Sequence, residues 1–304
     1  MKDSRSINRL RSRAGRALAG VVAATALGIA TPALCEETEA PNKGRVSFSA
    51  GSDITTAYFF RGILQERDGF IWQPYGEVNF KLWESDKEDD SWNSFTLFGG
   101  SWNSVHSEKT LASSSGPSNW YEADVYAGAK TTIFTNTELK GYYIAYTYPG
   151  GAFNTVQEID TQISFNDSEY LDKFALYPYV LFAAELENSA LGASNTEGGY
   201  MELGVGPSFT LIDHESYPLT LTLPMLVGLS IYDYFESPSG ENNTFGYFKG
   251  GTVFTVPLAF IPAEYGAWAF KAGAAVYAFG TNLEAYNKGN NPWVVGTWSV
   301  TFSY

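Results

Sequence analysis

The sequence predicts an all-β fold, a single antiparallel transmembrane β-barrel of about 12 strands, within a range of 10 to 14. Three observations predict it. Aromatic residues make up 16% of the chain and charged residues only 17%. Segments in which apolar and polar residues alternate recur along the chain between turn residues. Beyond the amino-terminal region, no stretch stays apolar for the roughly 18 residues that a spanning helix needs.

The first 35 residues have the layout of a secretory signal peptide. Six basic side chains lie before residue 17, and residues 17–30 are small and apolar. Because this apolar core is too short for a stable spanning helix, we expect cleavage after Ala33 or Cys35. The predicted organisation is a signal peptide at 1–35, a short periplasmic lead-in at 36–45 and a barrel at 46–304. The predicted location is the outer membrane of a Gram-negative cell.

The single cysteine and the net charge exclude several classes of protein. Cys35 has no partner for an intrachain disulfide. A lipid anchor on Cys35 is not favoured, because Pro32 and Leu34 depart from the usual lipoprotein pattern. Loss of residues 1–35 would remove six basic and one acidic side chain, which changes the formal net charge from −14 to −19. A chain this acidic, without a clustered basic patch, is not expected to bind nucleic acid.

The carboxyl-terminal segment 292–304 shows the strand pattern most clearly. Trp298, Val300, Phe302 and Tyr304 share one face, and serines and threonines share the other. A lipid-exposed barrel strand has this pattern, with its apolar face outward. The other predicted strands are 46–61, 70–83, 95–103, 120–130, 138–148, 156–165, 174–186, 200–211, 219–231, 245–256 and 268–279. Prolines at 178, 207, 218, 224 and 257 lie inside or at the ends of these segments, and we expect β-bulges there.

The alternation also predicts which charged side chains point into the lumen. We expect an acidic excess there, which as a pore lining would favour cations. The same charges would plug the lumen if they paired across it. The candidate pore-lining residues are Asp53, Arg61, Glu77, Lys81, Glu122, Asp124, Lys130, Glu158, Asp160, Glu202 and Lys271.

A soluble alternative is a large β-sandwich or two β-domains. Such a fold would place its polar face in bulk water and would carry more lysine and glutamate there. The polar faces of this chain carry mainly Ser, Thr, Gly and Tyr. The composition therefore favours the barrel.

Several segments resemble a known family. Residues 55–65 (TTAYFFRGILQ), 122–128 (EADVYAG) and 146–150 (YTYPG) resemble motifs of the TorF-type family of bacterial outer-membrane porins, in the same order. The resemblance implies an outer-membrane barrel and passive solute transport. The carboxyl-terminal Phe302 and Tyr304 are similar to the signal that the barrel assembly machinery reads.

Candidate chemistry is sparse. His106, Ser107 and Glu108 are neighbours in sequence, but adjacent strand residues point to opposite faces, so we expect a solvated loop histidine. We expect the same of His214, which lies in a predicted turn. With two histidines and one cysteine, a zinc site of the usual kind is not expected. The acidic run 86–90 lacks the spaced glycine of a calcium loop and is interpreted as a solvated turn.

The sequence therefore predicts a porin-like channel for passive diffusion of small hydrophilic solutes, cation-favouring and without a cofactor or an enzymatic activity. The expected partners are outer-membrane lipid, the barrel assembly machinery and the solutes. Two alternatives stay open: a plugged barrel with a structural or surface-interaction role, and a hydrolase at the rim. The solute, the oligomeric state and the openness of the lumen are not determined by the sequence.

Overall fold

A computed structural model describes residues 42, 44–86, 91–108, 110, 119–190, 197–214, 217–237 and 239–304. These residues form a closed antiparallel barrel with twelve wall strands, as the sequence predicts. Ten of the wall strands are continuous: β1 (Val46–Thr55), β4 (Ile71–Glu84), β5 (Trp92–His106), β6 (Trp120–Ile133), β7 (Thr137–Thr147), β8 (Val156–Phe165), β9 (Tyr179–Glu187), β14 (Phe245–Pro257), β15 (Ala267–Phe279) and β16 (Trp293–Ser303).

The other two wall strands are each broken at a proline. One consists of β10 (Gly199–Val205) and β11 (Ser208–Ile212), and the other of β12 (Leu219–Thr222) and β13 (Met225–Tyr232). Pro207 and Pro224 lie in the two breaks, because a proline has no N–H to donate to the ladder. The sequence predicts bulges at these prolines, and the structure has interruptions of the strand there instead.

Each wall strand pairs with its neighbours in the chain, and β1 pairs with β16 to close the barrel. In this closing pair the N–H of Phe48 donates to the oxygen of Tyr304 at 2.7 Å, and the N–H of Tyr304 donates back at 2.8 Å. Val46 and Tyr304 thus lie at one end of the barrel, which we call the terminal end. Most of the longer connections lie at the opposite end, which we call the loop end; residues 166–178, between β8 and β9, form a connection of similar length at the terminal end.

Side chains alternate between the two faces of the wall. Large apolar side chains such as Phe48, Trp72, Ile159 and Trp298 are exposed on the outer face. The inner face carries buried charged groups and tyrosines, among them Glu77 and Lys140. The core of the molecule is therefore the barrel interior, where an aromatic cluster fills the lumen.

The first predicted strand is wrong beyond Thr55. Instead of continuing along the wall, the chain turns inward and forms β2 (Tyr58–Phe60) and β3 (Ile63–Glu66), which pair only with each other. We call this pair the inner hairpin. A wall strand over 46–61 would place Tyr58 and Phe60 on the same outer face as Phe48, but they are 2% and 3% exposed inside the barrel.

Arg61 and Gly62 form the turn of the inner hairpin. Phe60 pairs with Ile63, and only Arg61 and Gly62 lie between them. Both central residues have positive φ, +43° and +82°. A two-residue turn with positive φ at both positions suits the twist of a hairpin, and glycine adopts such a φ without strain.

Helices occur only in connections among the described residues. The turn between β8 and β9 contains α1 (Ser168–Leu171) and the 3-10 turn Asp172–Phe174, and a second 3-10 turn spans Ala263–Tyr265. The connection between β15 and β16 contains α2 (Thr281–Tyr286), whose Leu283 is fully buried. None of the described helices is long and apolar enough to cross a bilayer.

Several predictions concern residues outside the described ranges. The signal peptide at 1–35, with Cys35, lies outside them, as do 36–41 and 43 of the lead-in. Most of the acidic run 86–90 also lies outside. Pairing of the barrel wall begins at Arg45, whose oxygen accepts a hydrogen bond from the N–H of Lys81 at 2.7 Å.

Candidate functional site in the barrel lumen

The inner hairpin occupies the lumen at the loop end. Phe59 stacks on Tyr277 with ring centroids 4.8 Å apart and on Phe279 at 5.4 Å. On the other side of the hairpin, Phe60 meets the edge of Tyr146 at 5.0 Å. The hairpin is therefore packed inside the barrel against opposite parts of the wall, and we call it the plug.

Arg61, at the tip of the inner hairpin, forms an ion pair with the wall. Its Nη1 donates to Oε1 of Glu158 and its Nη2 to Oε2, both at 2.8 Å. Nη1 also donates to the hydroxyl of Tyr234 at 2.7 Å, and Nη2 lies 3.5 Å from Oδ2 of Asp160. This two-pronged arrangement is the strong form of an arginine–carboxylate pair.

Aromatic rings complete the surroundings of this guanidinium. Its Cζ lies 4.4 Å from the ring centroid of Tyr200 and 5.4 Å from that of Tyr234. Burial lowers the pKa of Arg61, but Glu158, Tyr234, Tyr146 and Asp160 together hold the pKa well above its usual range. The guanidinium therefore stays charged.

Four buried carboxyl groups lie beside the inner hairpin, two of them near Tyr58 and two near Arg61, and we call them the acidic cluster. Glu122, Asp124, Glu158 and Asp160 are at most 1% exposed. Tyr58 donates to Oε2 of Glu122 at 2.6 Å. Both oxygens of Asp124, one of Glu122 and one of Asp160 have no hydrogen-bond partner among the described residues. With Arg61 in place, this acidic cluster still has more carboxyl groups than cations.

A second connection fixes the inner hairpin from the loop end. The side chain of Asn287, which follows α2, donates to the oxygen of Gly62 at 2.8 Å and accepts from the N–H of Leu64 at 2.9 Å. Asn287 and Leu283 are both fully buried. Tyr234 and Phe235, from the connection after β13, are part of the aromatic cluster that fills the lumen.

A small cavity lies beside the plug. Its volume is about 50 Å³, and Asp53, Gln73, Lys249 and Thr297 supply polar groups to its lining. A volume of this size holds a few waters but no larger solute. Glu202, on β10, accepts hydrogen bonds from Tyr179 and Tyr200, both at 2.6 Å.

The predicted pore-lining residues lie where the alternation expects them, with one exception. Ten of them are on the inner face of wall strands: Asp53, Glu77, Lys81, Glu122, Asp124, Lys130, Glu158, Asp160, Glu202 and Lys271. Arg61 lies in the lumen, but on the inner hairpin rather than on the wall. Lys81 is at the terminal end, 40% exposed, and pairs with Glu84 at 3.1 Å. The role of these residues in a pore stays a prediction.

Three buried charged residues of the inner face were not predicted. Lys140 lies 4.0 Å from Glu77, Lys249 lines the cavity, and Glu185 is 5% exposed. On the inner face, Tyr142 is the neighbour of Lys140 in β7 and Tyr247 is the neighbour of Lys249 in β14. Tyrosine counts as apolar when a sequence is divided into apolar and polar residues. The alternation was therefore weak in β7 and β14.

The structure corrects the interpretation of His106. This residue ends β5, is 1% exposed and stacks on Tyr121 at 4.9 Å, so it is not a solvated loop residue. Its Nε2 lies 2.7 Å from the hydroxyl of Ser104. A serine–histidine pair is what the hydrolase alternative requires, but Ser104 is 0% exposed and Nδ1 has no partner in the described part of the chain. His214 stacks on Tyr217 at 3.5 Å.

The carboxyl-terminal aromatic residues face outward. Phe302 pairs with Ala50 across the closing strands and lies 4.8 Å from the ring of Trp268. Tyr304 is 41% exposed. Within the described residues, no group of three or more acidic, histidine or cysteine side chains is arranged to hold a metal ion.

Comparisons with known proteins give structural matches only. No family model and no curated protein matches the chain, so the resemblance to the TorF-type family stays a prediction. Among solved structures, an outer membrane channel from Pseudomonas putida F1 has a TM-score of 0.47 and 12% identity, over 86% of this chain and 96% of that chain. The β-domain of the Bordetella autotransporter BrkA has a TM-score of 0.42 and 8% identity, over 86% and 99%.

Proposed function

We propose that this protein is an outer-membrane barrel that forms a narrow, cation-favouring channel for small hydrophilic solutes, with the inner hairpin as its plug. The outer face supports the membrane location, because exposed Phe, Trp, Leu and Ile side chains on a closed barrel suit lipid. The loop end would face outward, since barrels of this kind have short periplasmic turns and longer external loops.

The observation that carries the channel is the charge of the barrel interior. A barrel that served only as a scaffold could be filled with apolar side chains, as buried charges are costly. Here acidic side chains outnumber basic ones on the inner face and the hairpin: Asp53, Glu66, Glu77, Glu122, Asp124, Glu138, Glu158, Asp160, Glu185 and Glu202 against Arg61, Lys81, Lys130, Lys140, Lys249 and Lys271. Such an acidic excess favours cations.

A planar bilayer experiment tests this function. The purified protein would be compared with a variant in which residues 58–66 are replaced by a Gly-Ser linker, so that the plug is absent. We expect rare openings for the wild type, frequent openings for the variant, and a cation-selective reversal potential under a salt gradient for both. Silence of both folded proteins would overturn the channel, and anion selectivity would overturn the role of the acidic lumen.

A plugged barrel without transport is the second candidate. It is favoured by the two independent attachments of the hairpin, through Arg61 and through Asn287. The same experiment separates the candidates. A wild type that stays silent under all voltages, beside a variant that conducts, would identify a barrel that is permanently closed.

Export and assembly belong to the same proposal. We expect residues 1–35 to be removed and the assembly machinery to recognise Phe302 and Tyr304. Mass spectrometry of the protein from outer-membrane fractions would give the mature amino terminus. Phe302→Ala and Tyr304→Ala should lower the amount of folded barrel in the membrane, and unchanged amounts would contradict the assembly role.

A further inference from the structure

We propose that the cage around Arg61 is a guanidinium-binding site, which the inner hairpin occupies in this conformation and which recognises guanidinium-bearing cationic solutes when the hairpin withdraws. The inference rests on the proposed channel and names a solute class for it. The cage consists of Glu158, Asp160, Tyr146, Tyr200 and Tyr234.

The geometry of the cage matches a planar guanidinium. Glu158 accepts two parallel hydrogen bonds at 2.8 Å, and the hydroxyl of Tyr234 adds a third contact at 2.7 Å. The ring of Tyr200 lies 4.4 Å from Cζ, within the range of a cation–π contact. A guanidinium has the flat face and the forked donors for all of these contacts, whereas sodium has neither and an ammonium lacks the fork.

No residue of the cage belongs to the hairpin: four lie on wall strands, and Tyr234 lies in the connection after β13. Glu158 and Asp160 lie on the inner face of β8, and Tyr200 lies on β10. Tyr146 donates to Oε2 of Glu158 at 3.1 Å and Tyr142 donates to Oδ2 of Asp160 at 2.9 Å, which holds both carboxylates in position without the hairpin. Withdrawal of Arg61 would therefore leave a preformed site.

The surroundings favour a further cation. Asp124 is 0% exposed and neither of its oxygens has a hydrogen-bond partner among the described residues. The carboxyl groups of the cluster are not arranged to hold a metal ion. A cation that uses hydrogen bonds and ring faces, rather than a full shell of oxygen ligands, fits the site better.

Arg61 competes with any free solute because it is tethered beside the cage. A short tether gives an effective concentration of about millimolar or above. We therefore expect free guanidinium compounds to displace Arg61 only at about millimolar concentrations or higher. Removal of the Arg61 side chain should expose the site to lower concentrations.

Calorimetry on a variant that lacks the Arg61 side chain tests the site directly. The full-length protein with Arg61→Ala, folded in detergent, would be titrated with ethylguanidinium and with ethylammonium, which have the same alkyl group and charge. Because a guanidinium can make both hydrogen bonds to Glu158 at once and an ammonium cannot, we expect ethylguanidinium to bind at least about tenfold more tightly, which corresponds to about 1.4 kcal/mol. The double variant with Arg61→Ala and Glu158→Gln should lose this preference.

The outcomes are distinct from those of the channel experiment, because calorimetry needs no current. Equal binding of the two compounds, or a preference that survives Glu158→Gln, would overturn the site even if the barrel conducts. Preferential binding in a barrel that never conducts would support the site and overturn the channel. If Arg61→Ala does not fold, Arg61→Gln is the replacement, with the same expectation and the same contradicting result.

Discussion

The side-chain amide of Asn287 hydrogen-bonds to the backbone of Gly62 and so takes the place of a strand partner for the inner hairpin. Its Nδ2 donates to the oxygen of Gly62 at 2.8 Å, while its Oδ1 accepts from the N–H of Leu64, two residues further along the hairpin, at 2.9 Å. Asn287 and Gly62 are 225 positions apart in the chain. The loop after α2 is thus a latch on the plug.

Removal of this latch should free the plug without unfolding the wall. Asn287→Ala eliminates two hydrogen bonds at a fully buried position, at a cost of about 1–3 kcal/mol. We expect the open probability in planar bilayers to rise by about tenfold or more. Asn290→Ala, an exposed change in the same loop, serves as the control. Equal open probabilities for the two variants would contradict the latch.

A side chain at Gly62 should push the plug away from the loop end. A Cβ there would lie 2.8 Å from Cδ1 of Leu283 and 2.8 Å from Cδ1 of Tyr247. Gly240 has a similar φ, +80° against +82°, but a Cβ there meets nothing within 4 Å. The two alanine variants therefore share the backbone strain, and only Gly62→Ala adds overpacking, which costs about 1–3 kcal/mol.

Thermal unfolding and open probability would both be measured for this pair. We expect Gly62→Ala to open more often than Gly240→Ala and to unfold at a lower temperature. If the two variants behave alike, the contact between the hairpin and α2 does not hold the plug.

Lys140 and Glu77, two buried and oppositely charged residues of the inner face, should change the ion selectivity of the channel in opposite directions. Lys140 is 2% exposed and lies 4.0 Å from Glu77. Because both charges are shielded from bulk water, Lys140→Met should raise the cation-to-anion permeability ratio by about twofold or more, and Glu77→Gln should lower it. Lys81→Met, at the more exposed terminal end, should change the ratio less. Shifts of the same sign for Lys140→Met and Glu77→Gln would contradict this assignment.

A charge on the outer face should destabilise the barrel in lipid. Ile159 is 49% exposed near the middle of β8. Ile159→Arg should lower the free energy of unfolding in lipid vesicles by about 2–4 kcal/mol, the cost of arginine near the bilayer midplane. Tyr170→Arg alters an exposed aromatic residue in the turn between β8 and β9, outside the wall, and should have little effect. A small effect of Ile159→Arg would argue against a lipid-facing position.

The wall could be predicted from the sequence because each wall strand carries its own signal. Alternation over about ten residues fixes both the strand and the orientation of its side chains, as β8 shows: the predicted segment 156–165 is the observed strand. The sequence also marked where two wall strands are irregular, since Pro207 and Pro224 cannot donate to a ladder, although the predicted bulges are interruptions in the structure.

The plug could not be predicted in the same way. Residues 58–66 continue the apolar composition of β1. Their burial depends on contacts with distant strands, which the local sequence pattern does not encode. The one local signal is the pair Arg61–Gly62, in which a glycine suits a two-residue turn. The partner of Arg61 was equally hidden, because Glu158 is 97 positions away.

These separations have a consequence for the order of folding. The contacts of the hairpin tip span 85 to 225 positions, whereas each wall strand pairs mostly with the next one along the chain. Contacts between distant parts of a chain form late, and cooperative units with few local contacts are the first to open. The wall can assemble strand by strand, but the seat of the plug exists only after β8, β13 and α2 have come together. Opening of the lumen would then amount to a reversal of the last folding step, with the barrel itself left intact.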